Sequence, residues 1–131
     1  MNFRDLRIYQ LADQARNDLY KEIIKIPDYW TIPEVDQMIR SSASTTSNIV
    51  EGYGRKFYQR DFFRFLSIAL ASSDETQNHI RVLYMKGYLN KKKTDTFGKL
   101  YRKISIQILN LMNVIRIKQN FNLHEVHMKS T

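Results

Sequence analysis

The sequence predicts an all-α protein, an antiparallel up-down four-helix bundle, and three observations support this prediction. Its 131 residues are the size of one domain. Four glycines and two prolines leave too few turn-forming residues for an all-β fold. Apolar residues recur at three- and four-residue steps over long stretches, which is the spacing of packed helices. We therefore predict one bundle over residues 1–119 and a tail over residues 120–131.

The first two helices are predicted from their caps and from the two prolines. The first should run from about Leu6 to Ile26, with Asp5 as its N-cap and Pro27 directly after its end. The second should run over residues 33–53, with Thr31 as its cap. Its inner face is predicted to carry Val35, Ile39, Ser42, Thr46, Ile49 and Tyr53.

Small residues dominate the middle of the second helix, where residues 41–47 read SSASTTS. Small side chains let two helix axes approach closely, but serine and threonine are only moderate helix formers. We therefore expect tertiary packing to hold this helix. The third helix has the clearest seam, made of Phe62, Leu66, Ala69, Ser73, Thr76, Ile80, Leu83 and Gly87. Gly87 is placed to end that helix in a left-handed conformation.

The fourth helix should start near Asn90 or Thr94 and end at about Gln119. Its core seam is predicted to contain Phe97, Tyr101, Ile104, Ile108, Leu111 and Ile115. Four more apolar residues lie elsewhere on its circumference: Ile106, Leu109, Val114 and Ile117. Because one core-facing stripe does not need this much apolar surface, we predict that these four residues form an interface in a closed homo-oligomer.

The formal net charge of +8 and the isoelectric point of about 9.8 favour a polyanionic partner, with nucleic acid considered first. The alternative is that the basic residues only keep the protein soluble. The candidate nucleic-acid-binding residues form two clusters at opposite ends of the bundle: Arg55, Lys56, Arg60 and Arg64, and then Lys91, Lys92, Lys93, Lys99, Arg102 and Lys103. Among these charges, Tyr58, Tyr88 and Tyr101 either stack on unpaired bases or pack against the bundle.

A polar stripe on the second helix allows two interpretations. It contains Gln37, Ser41, Ser44, Asn48, Glu51 and Arg55. The stripe is either a solvated face or part of a hydrogen-bond network with the third helix, which would fix the helix register. The predicted network consists of Gln37, Arg40, Ser44, Asn48, Glu51, Ser72 and Glu75.

Residues suited to catalysis or metal binding are sparse. The chain has no cysteine, which excludes disulfides and thiolate chemistry and suits a reducing cytoplasm. His79 follows Glu75 by four residues, and the segment from His124 to His127 is one residue too short for the helical zinc motif. No stretch is apolar for long enough to cross a bilayer. We predict a cytoplasmic, non-enzymatic protein without metal or cofactor.

Five segments, in this order, resemble the bacterial four-helix-bundle family first known from proteins encoded in intervening sequences of large-subunit ribosomal RNA genes. They are FRDLRIYQLA at residues 3–12, QMIRSSAS at 37–44, NIVEGYGR at 48–55, DFFRFLSIALASSDE at 61–75 and GYL at 87–89. The resemblance implies a ring-like homopentamer. It also implies kinship with the accessory variability proteins of diversity-generating retroelements, basic pentamers that bind nucleic acid and a reverse transcriptase. It defines no catalytic residues.

Together, the residues and the resemblance predict a non-enzymatic oligomeric module that binds nucleic acid, with structured RNA or an RNA–protein complex as the favoured target. The alternative is a structural adaptor, a ring that binds a protein partner such as a reverse transcriptase. The basic surface favours the first function, and the excess apolar surface of the fourth helix is compatible with either.

Overall fold

A computed structural model of the chain describes the backbone of residues 2–130 and the side chains of residues 2–119. Over these residues the chain contains four α-helices and no strand, so the all-α prediction is confirmed. The helices are α1 (Arg7–Ile23), α2 (Pro33–Gly54), α3 (Gln59–Met85) and α4 (Lys91–Ser130). Short 3-10 turns, Phe3–Asp5 and Tyr29–Thr31, precede α1 and α2.

The helices pack as a four-helix bundle. Helix α2 packs along α3 and α3 along α4, while α1 closes the bundle against α2 and α4. The turns at residues 55–58 and 86–90 are short, so successive helices run antiparallel. The 27 residues of α3 span about 40 Å, which separates these two turns by most of the length of the bundle.

The hydrophobic core follows the predicted seams with small displacements. The α3 seam is buried at Phe62, Leu66, Ala69, Ser73, Thr76, Ile80 and Leu83. Ile39, Tyr53 and Leu111 are only partly buried, and Met38 and Met112 take core positions beside two of them. The unbranched methionine side chain fills an irregular gap more easily than the branched side chains of isoleucine and leucine do, which favours this shift around the helix.

Close contact between α2 and α3 depends on small residues, as the sequence predicted. Ser41 and Thr45 are buried on α2. Gly52 is also buried, and a Cβ atom built there would lie 3.2 Å from Phe62 Cδ1 and 3.2 Å from Phe65 Cβ. A larger side chain at this position would therefore push the two helices apart.

The two predicted N-caps are wrong, because a 3-10 turn precedes each helix. Leu6 occupies the N-cap position of α1 without a side-chain cap hydrogen bond, and Asp5 instead closes a capping box in the preceding 3-10 turn. Ile32 occupies the N-cap position of α2, and Thr31 Oγ1 donates to the carbonyl oxygen of Asp28 at 2.7 Å. Each predicted side chain thus stabilises the turn before its helix.

Other helix boundaries depend on proline, glycine and asparagine. Helix α1 ends at Ile23 rather than Ile26, because the chain already turns before Pro27, whose ring disfavours helical backbone ahead of it. Gly87 has a φ angle of 85°, which confirms the predicted left-handed end of α3. Asn90 caps α4, since its Oδ1 accepts a hydrogen bond from a backbone nitrogen of the first turn at 2.8 Å.

Helix α4 continues beyond Gln119, where its end was predicted, to Ser130. No glycine or proline follows Gly98 in the sequence, so nothing in this segment forces the helix to stop. The side chains of the predicted tail, residues 120–131, lie outside those that the structure describes, as do its two histidines.

We expect the substitution Gly52→Val to lower the free energy of unfolding by about 1–3 kcal/mol, because the new side chain overpacks the contact between α2 and α3. Gly54→Val is the matched control, since no atom lies within 4 Å of a Cβ at that position. Urea denaturation followed by circular dichroism measures both variants. Equal unfolding free energies for the two variants would show that Gly52 is not a site of close helix contact.

Candidate nucleic-acid interface

The lysines of the first turn of α4 are largely engaged within the protein. Lys91 Nζ lies 3.0 Å from Asp95 Oδ2, and Lys93 Nζ lies 3.2 Å from Glu22 Oε1 on α1. These acids offset three positive charges at a helix N-terminus, where the helix dipole makes cations unfavourable. The hydrogen bond that Lys91 donates to the Asp95 carboxylate raises the pKa of Lys91. Lys92 forms no ion pair with any residue whose side chain is described.

An ion pair between Glu34 and Lys86 joins α2 to α3 at the same end of the bundle. The hydrogen bond from Lys86 is the main reason that the pKa of Glu34 is lowered. Glu34 Oε2 is buried and has no hydrogen-bond partner among the described residues. These two side chains therefore serve the fold, and Lys86 is not free for an external anion.

Cations that form no ion pair with a described side chain lie instead along the α3–α4 groove, a shallow cavity of about 420 Å³ between these helices. Arg81, Lys99 and Arg102 line it, and none of them forms an ion pair with a described residue. Asp95 is the acid in its lining, and its charge is already balanced by Lys91. The α3–α4 groove is therefore a positively charged surface.

Arg81 is a groove residue that the sequence prediction missed, because it is an isolated cation between Ile80 and Val82. It lies one turn after Gln77 on α3, and Gln77 Nε2 donates to Ser105 Oγ on α4 at 3.2 Å. Residues four apart share a helix face, so Arg81 faces the same side. The four-residue step from Gln77 to Arg81 was the sequence feature that could have identified Arg81. Lys103 follows Arg102 on the exposed surface of α4, also without an ion pair to a described side chain.

Two arginines of the other predicted cluster contact one aromatic ring near the turn between α2 and α3. The guanidinium carbons of Arg55 and Arg64 lie 4.6 Å and 5.4 Å from the ring centroid of Phe65. Arg55 Nη1 also lies 2.8 Å from Glu51 Oε2, and Arg64 Nη2 lies 4.0 Å from Asp61 Oδ1. Both arginines are therefore partly occupied by local contacts.

Lys56 and Arg60 complete this cluster, and neither forms an ion pair with a side chain in the described part of the chain. The three tyrosines for which the sequence allowed either base stacking or packing against the bundle differ in exposure. Tyr58 is 71% exposed and Tyr88 is 42% exposed. Tyr101 is fully buried in the core, so stacking on a base is excluded for it.

The polar stripe of α2 contributes two hydroxyl contacts to α3. Ser44 Oγ lies 2.8 Å from Ser72 Oγ, and Ser41 Oγ lies 2.7 Å from Thr76 Oγ1. Asn48 Nδ2 donates to the carbonyl oxygen and the hydroxyl oxygen of Ser44, at 2.8 Å and 3.1 Å. Three residues of the predicted network, Ser44, Asn48 and Ser72, are thus brought together.

The other predicted members of this network lie outside it. Gln37, Arg40 and Glu51 are exposed, and among the described side chains Arg40 pairs with an acid on its own helix alone. The Glu75 carboxylate is 57% exposed and lies 3.2 Å from His79 Nε2. Longer polar and charged side chains retain their hydration at these positions, whereas a short hydroxyl is buried at little cost once it is hydrogen-bonded.

A second hydroxyl cluster, which the sequence did not predict, joins α3 to α4. Ser105 Oγ lies 2.8 Å from Ser73 Oγ and 2.7 Å from Asp74 Oδ1. Ser73 Oγ donates to the carbonyl oxygen of Tyr101 at 3.1 Å. Both interfaces of α3 are therefore held by hydroxyl hydrogen bonds as well as by apolar packing.

The four residues of the predicted oligomer interface form an exposed apolar face on α4. The exposed fractions are 50% for Ile106, 44% for Leu109, 47% for Val114 and 67% for Ile117. Ile106 stands two residues from the buried Ile104, a rotation of about 200° around the helix. This α4 apolar face therefore points away from the core.

Neither a metal site nor a membrane span is evident in the part of the chain that the structure describes. Within it, no three histidine, aspartate or glutamate side chains are grouped closely enough to hold a metal ion. No described helix is both long and apolar enough to cross a membrane.

These features define a small, basic four-helix-bundle protein with a cationic groove and an exposed apolar face. Residues 4–110 match the family model described as 23S rRNA-intervening sequence protein, and the chain belongs to this family. This match confirms the family that the sequence motifs suggested.

A solved structure has the same fold. It is a protein of unknown function from the S23 ribosomal protein family of Bacteroides thetaiotaomicron VPI-5482, with a TM-score of 0.75 and 17% sequence identity. The match covers 81% of this chain and 95% of that one. No match was found among curated proteins.

We expect the stability of the protein to fall on acidification as Glu34 becomes protonated. Its pKa in the folded state lies below the ordinary value of 4.5, so its contribution is present above that pH and disappears as the pH falls through the folded pKa. Glu34→Gln should lower the unfolding temperature near neutral pH and reduce its further decrease toward about pH 3. Thermal unfolding across this range tests the effect.

The exposed carboxylate of Glu51 provides the control. Glu51→Gln removes a carboxylate and leaves the pair of Glu34 with Lys86 intact. If Glu34→Gln gives the same profile as Glu51→Gln, the pair with Lys86 does not stabilise the fold.

Proposed function

We propose that this protein is a non-enzymatic, oligomeric module that binds nucleic acid, with structured RNA or an RNA–protein complex as its preferred target. The observation that carries the proposal is the set of cations along the α3–α4 groove that form no ion pair with a described side chain: Arg81, Lys99 and Arg102, continued by Lys103. The phosphate backbone of a nucleic acid is the polyanion that such a surface fits best.

The presence or absence of an ion pair at each cation supports this assignment. A lysine already paired within the protein must exchange one carboxylate for a phosphate, so it contributes little to affinity. An unpaired lysine or arginine gives up only its solvent shell and releases counterions from the nucleic acid. Arg81 and Arg102 add the planar guanidinium group, which suits the two oxygens of a phosphate.

The family description supports RNA as the first nucleic acid to test, since it refers to an intervening sequence of 23S rRNA. The α3–α4 groove carries no motif for reading base edges, and its cations lie on helix surfaces. Binding through phosphates alone follows the shape of the RNA and discriminates little between sequences.

Self-association is the second part of the proposal, with another copy of this chain covering the α4 apolar face. Exposed apolar surface of this kind, beside cations that keep the rim hydrated, fits an interface between subunits. A closed ring, such as the homopentamer that the motifs suggest, buries the α4 apolar face of every subunit. It also repeats the α3–α4 groove, which raises avidity for a long polyanion.

The α4 apolar face also favours a second candidate function, that of an adaptor ring that binds a protein partner. In this alternative, the cations of the α3–α4 groove serve solubility or contact an acidic surface of that partner. Binding to RNA separates the two functions, because an adaptor needs no affinity for nucleic acid.

We expect the combined substitutions Lys99→Gln, Arg102→Gln and Lys103→Gln to weaken binding to an RNA hairpin. The salt dependence of the affinity should also become shallower, by roughly 0.7–0.9 in the logarithmic slope for each phosphate that the variant no longer neutralises. Fluorescence anisotropy with a labelled hairpin at several salt concentrations measures both quantities.

The matched control removes the same charge from cations that are already in ion pairs, by Lys25→Gln, Lys91→Gln and Lys93→Gln. This variant should bind the hairpin more tightly than the groove variant does. If both variants lose the same affinity, the net charge of the protein alone determines binding, and the groove has no special role. A parent protein that binds no RNA even at low salt would overturn the proposed function and leave the adaptor as the better candidate.

We expect the parent protein to form a closed oligomer of its 15.7 kDa subunit, and Ile106→Asp with Ile117→Asp to dissociate it. A carboxylate buried in an apolar interface is stripped of its hydration without gaining a partner, which costs several kcal/mol. Light scattering coupled to gel filtration gives the mass. The control is Ile68→Asp, on an exposed position of α3, which should leave the mass unchanged. A monomeric parent at micromolar concentration would contradict this prediction.

A further inference from the structure

We propose that the turn between α2 and α3 is a stacking platform for unpaired bases of single-stranded nucleic acid, formed by the rings of Phe57 and Tyr58. This inference rests on the proposed function and assigns the single-stranded part of the target to one end of the bundle. Phe57 is 85% exposed and Tyr58 is 71% exposed. Phe57 is the most exposed large apolar side chain in the described part of the chain.

The backbone of the turn that carries the two rings is held in place by hydrogen bonds. The amide nitrogen of Lys56 donates to the carbonyl oxygen of Tyr53 at 3.1 Å. The amide nitrogen of Tyr58 donates to the carbonyl oxygen of Arg55 at 2.8 Å, and the Tyr58 carbonyl accepts from Phe62 on α3 at 3.0 Å. Binding therefore does not have to order the backbone that carries the two rings.

The charges beside the rings favour nucleic acid over an apolar protein surface. Lys56 Nζ lies 5.5 Å from the ring centroid of Phe57, and Arg60 lies two residues after Tyr58. Neither cation pairs with a described carboxylate, whereas the nearby acids Glu51 and Asp61 are both paired with arginines. Lys56 Nζ also donates to the Tyr53 hydroxyl at 3.2 Å, a contact that leaves its charge uncompensated. An aromatic pair flanked by cations without a carboxylate partner matches a nucleotide strand, in which π-faces alternate with phosphates.

Unpaired bases fit this platform better than a duplex does. The rings stand on a turn at the end of the bundle, and stacking requires a base face that is not already covered by its neighbours. The α3–α4 groove lies along the sides of two helices and has no exposed aromatic ring in its lining. The two surfaces therefore take different parts of one target, the groove its phosphates and the turn its unpaired bases.

The test compares the parent protein with the double variant Phe57→Ala and Tyr58→Ala. The probes are a labelled oligouridine strand and a labelled RNA duplex without overhangs, each followed by fluorescence anisotropy at several salt concentrations. The affinity of the double variant for oligouridine should fall by about tenfold or more, since stacking accounts for that much per base. Its affinity for the duplex and its salt slope should stay those of the parent, because no cation is removed.

Trp30→Ala is the matched control, because Trp30 is 70% exposed but lies before α2, at the other end of the bundle. It should bind oligouridine as the parent does. Phe57→Tyr with Tyr58→Phe keeps both rings and should retain parental affinity, which separates stacking from simple unfolding of the turn.

Several results would overturn the platform. If the double variant binds oligouridine as tightly as the parent while the parent binds RNA in a salt-dependent way, the platform is wrong and the proposed function stands. If the parent binds neither probe at low salt, both fail. If the double variant changes the subunit number in light scattering, the rings serve contact between copies of the chain instead.

Discussion

The close approach of α2 and α3 is the constraint on which the other structural features depend. Short side chains on α2 and the missing Cβ of Gly52 allow the contact, and the hydroxyl pairs Ser44–Ser72 and Ser41–Thr76 fix its register. Helix α3 then holds α4 through a second set of hydroxyls around Ser105. Both turns at the ends of α3 are positioned by these contacts, and so are the cations that they carry.

The surplus of basic residues is divided into two structural roles. At the end where α4 begins, lysines join different helices, as in Glu22–Lys93 and Glu34–Lys86. Along the α3–α4 groove the cations have no such partners among the described side chains. A cation that stabilises the fold and one that is available to a polyanion therefore differ in their surroundings, although both contribute equally to a net charge of +8.

The sequence predicted features that depend on periodicity and missed those that depend on tertiary distance. The α3 seam and the left-handed Gly87 follow from local spacing and backbone preference, and both were found. Asp5 and Thr31 failed as caps because a 3-10 turn before a helix has no distinct sequence pattern. The pair between Glu22 and Lys93 joins residues 71 positions apart, which no local pattern reveals.

The sequence predicted that the candidate interface is basic, but it identified only some of the residues that form it. Lys99, Arg102 and Lys103 were chosen because they lie in a basic stretch, and they remain unpaired among the described side chains. Arg81 was missed because it joins them only across two helices. The polar stripe was overestimated because helical spacing gives the direction of a side chain but not its depth, and long side chains such as Arg40 reach water from positions beside a buried seam.

The position of Trp30 has a practical consequence for spectroscopy of this protein. It is the only tryptophan in the sequence, and its ring is 70% exposed beside the edge of Tyr29, with centroids 5.3 Å apart. An indole that already faces water in the native state changes its surroundings little when the core comes apart. Its emission would therefore report events at one end of the bundle, while melting of the interior would leave its wavelength nearly constant.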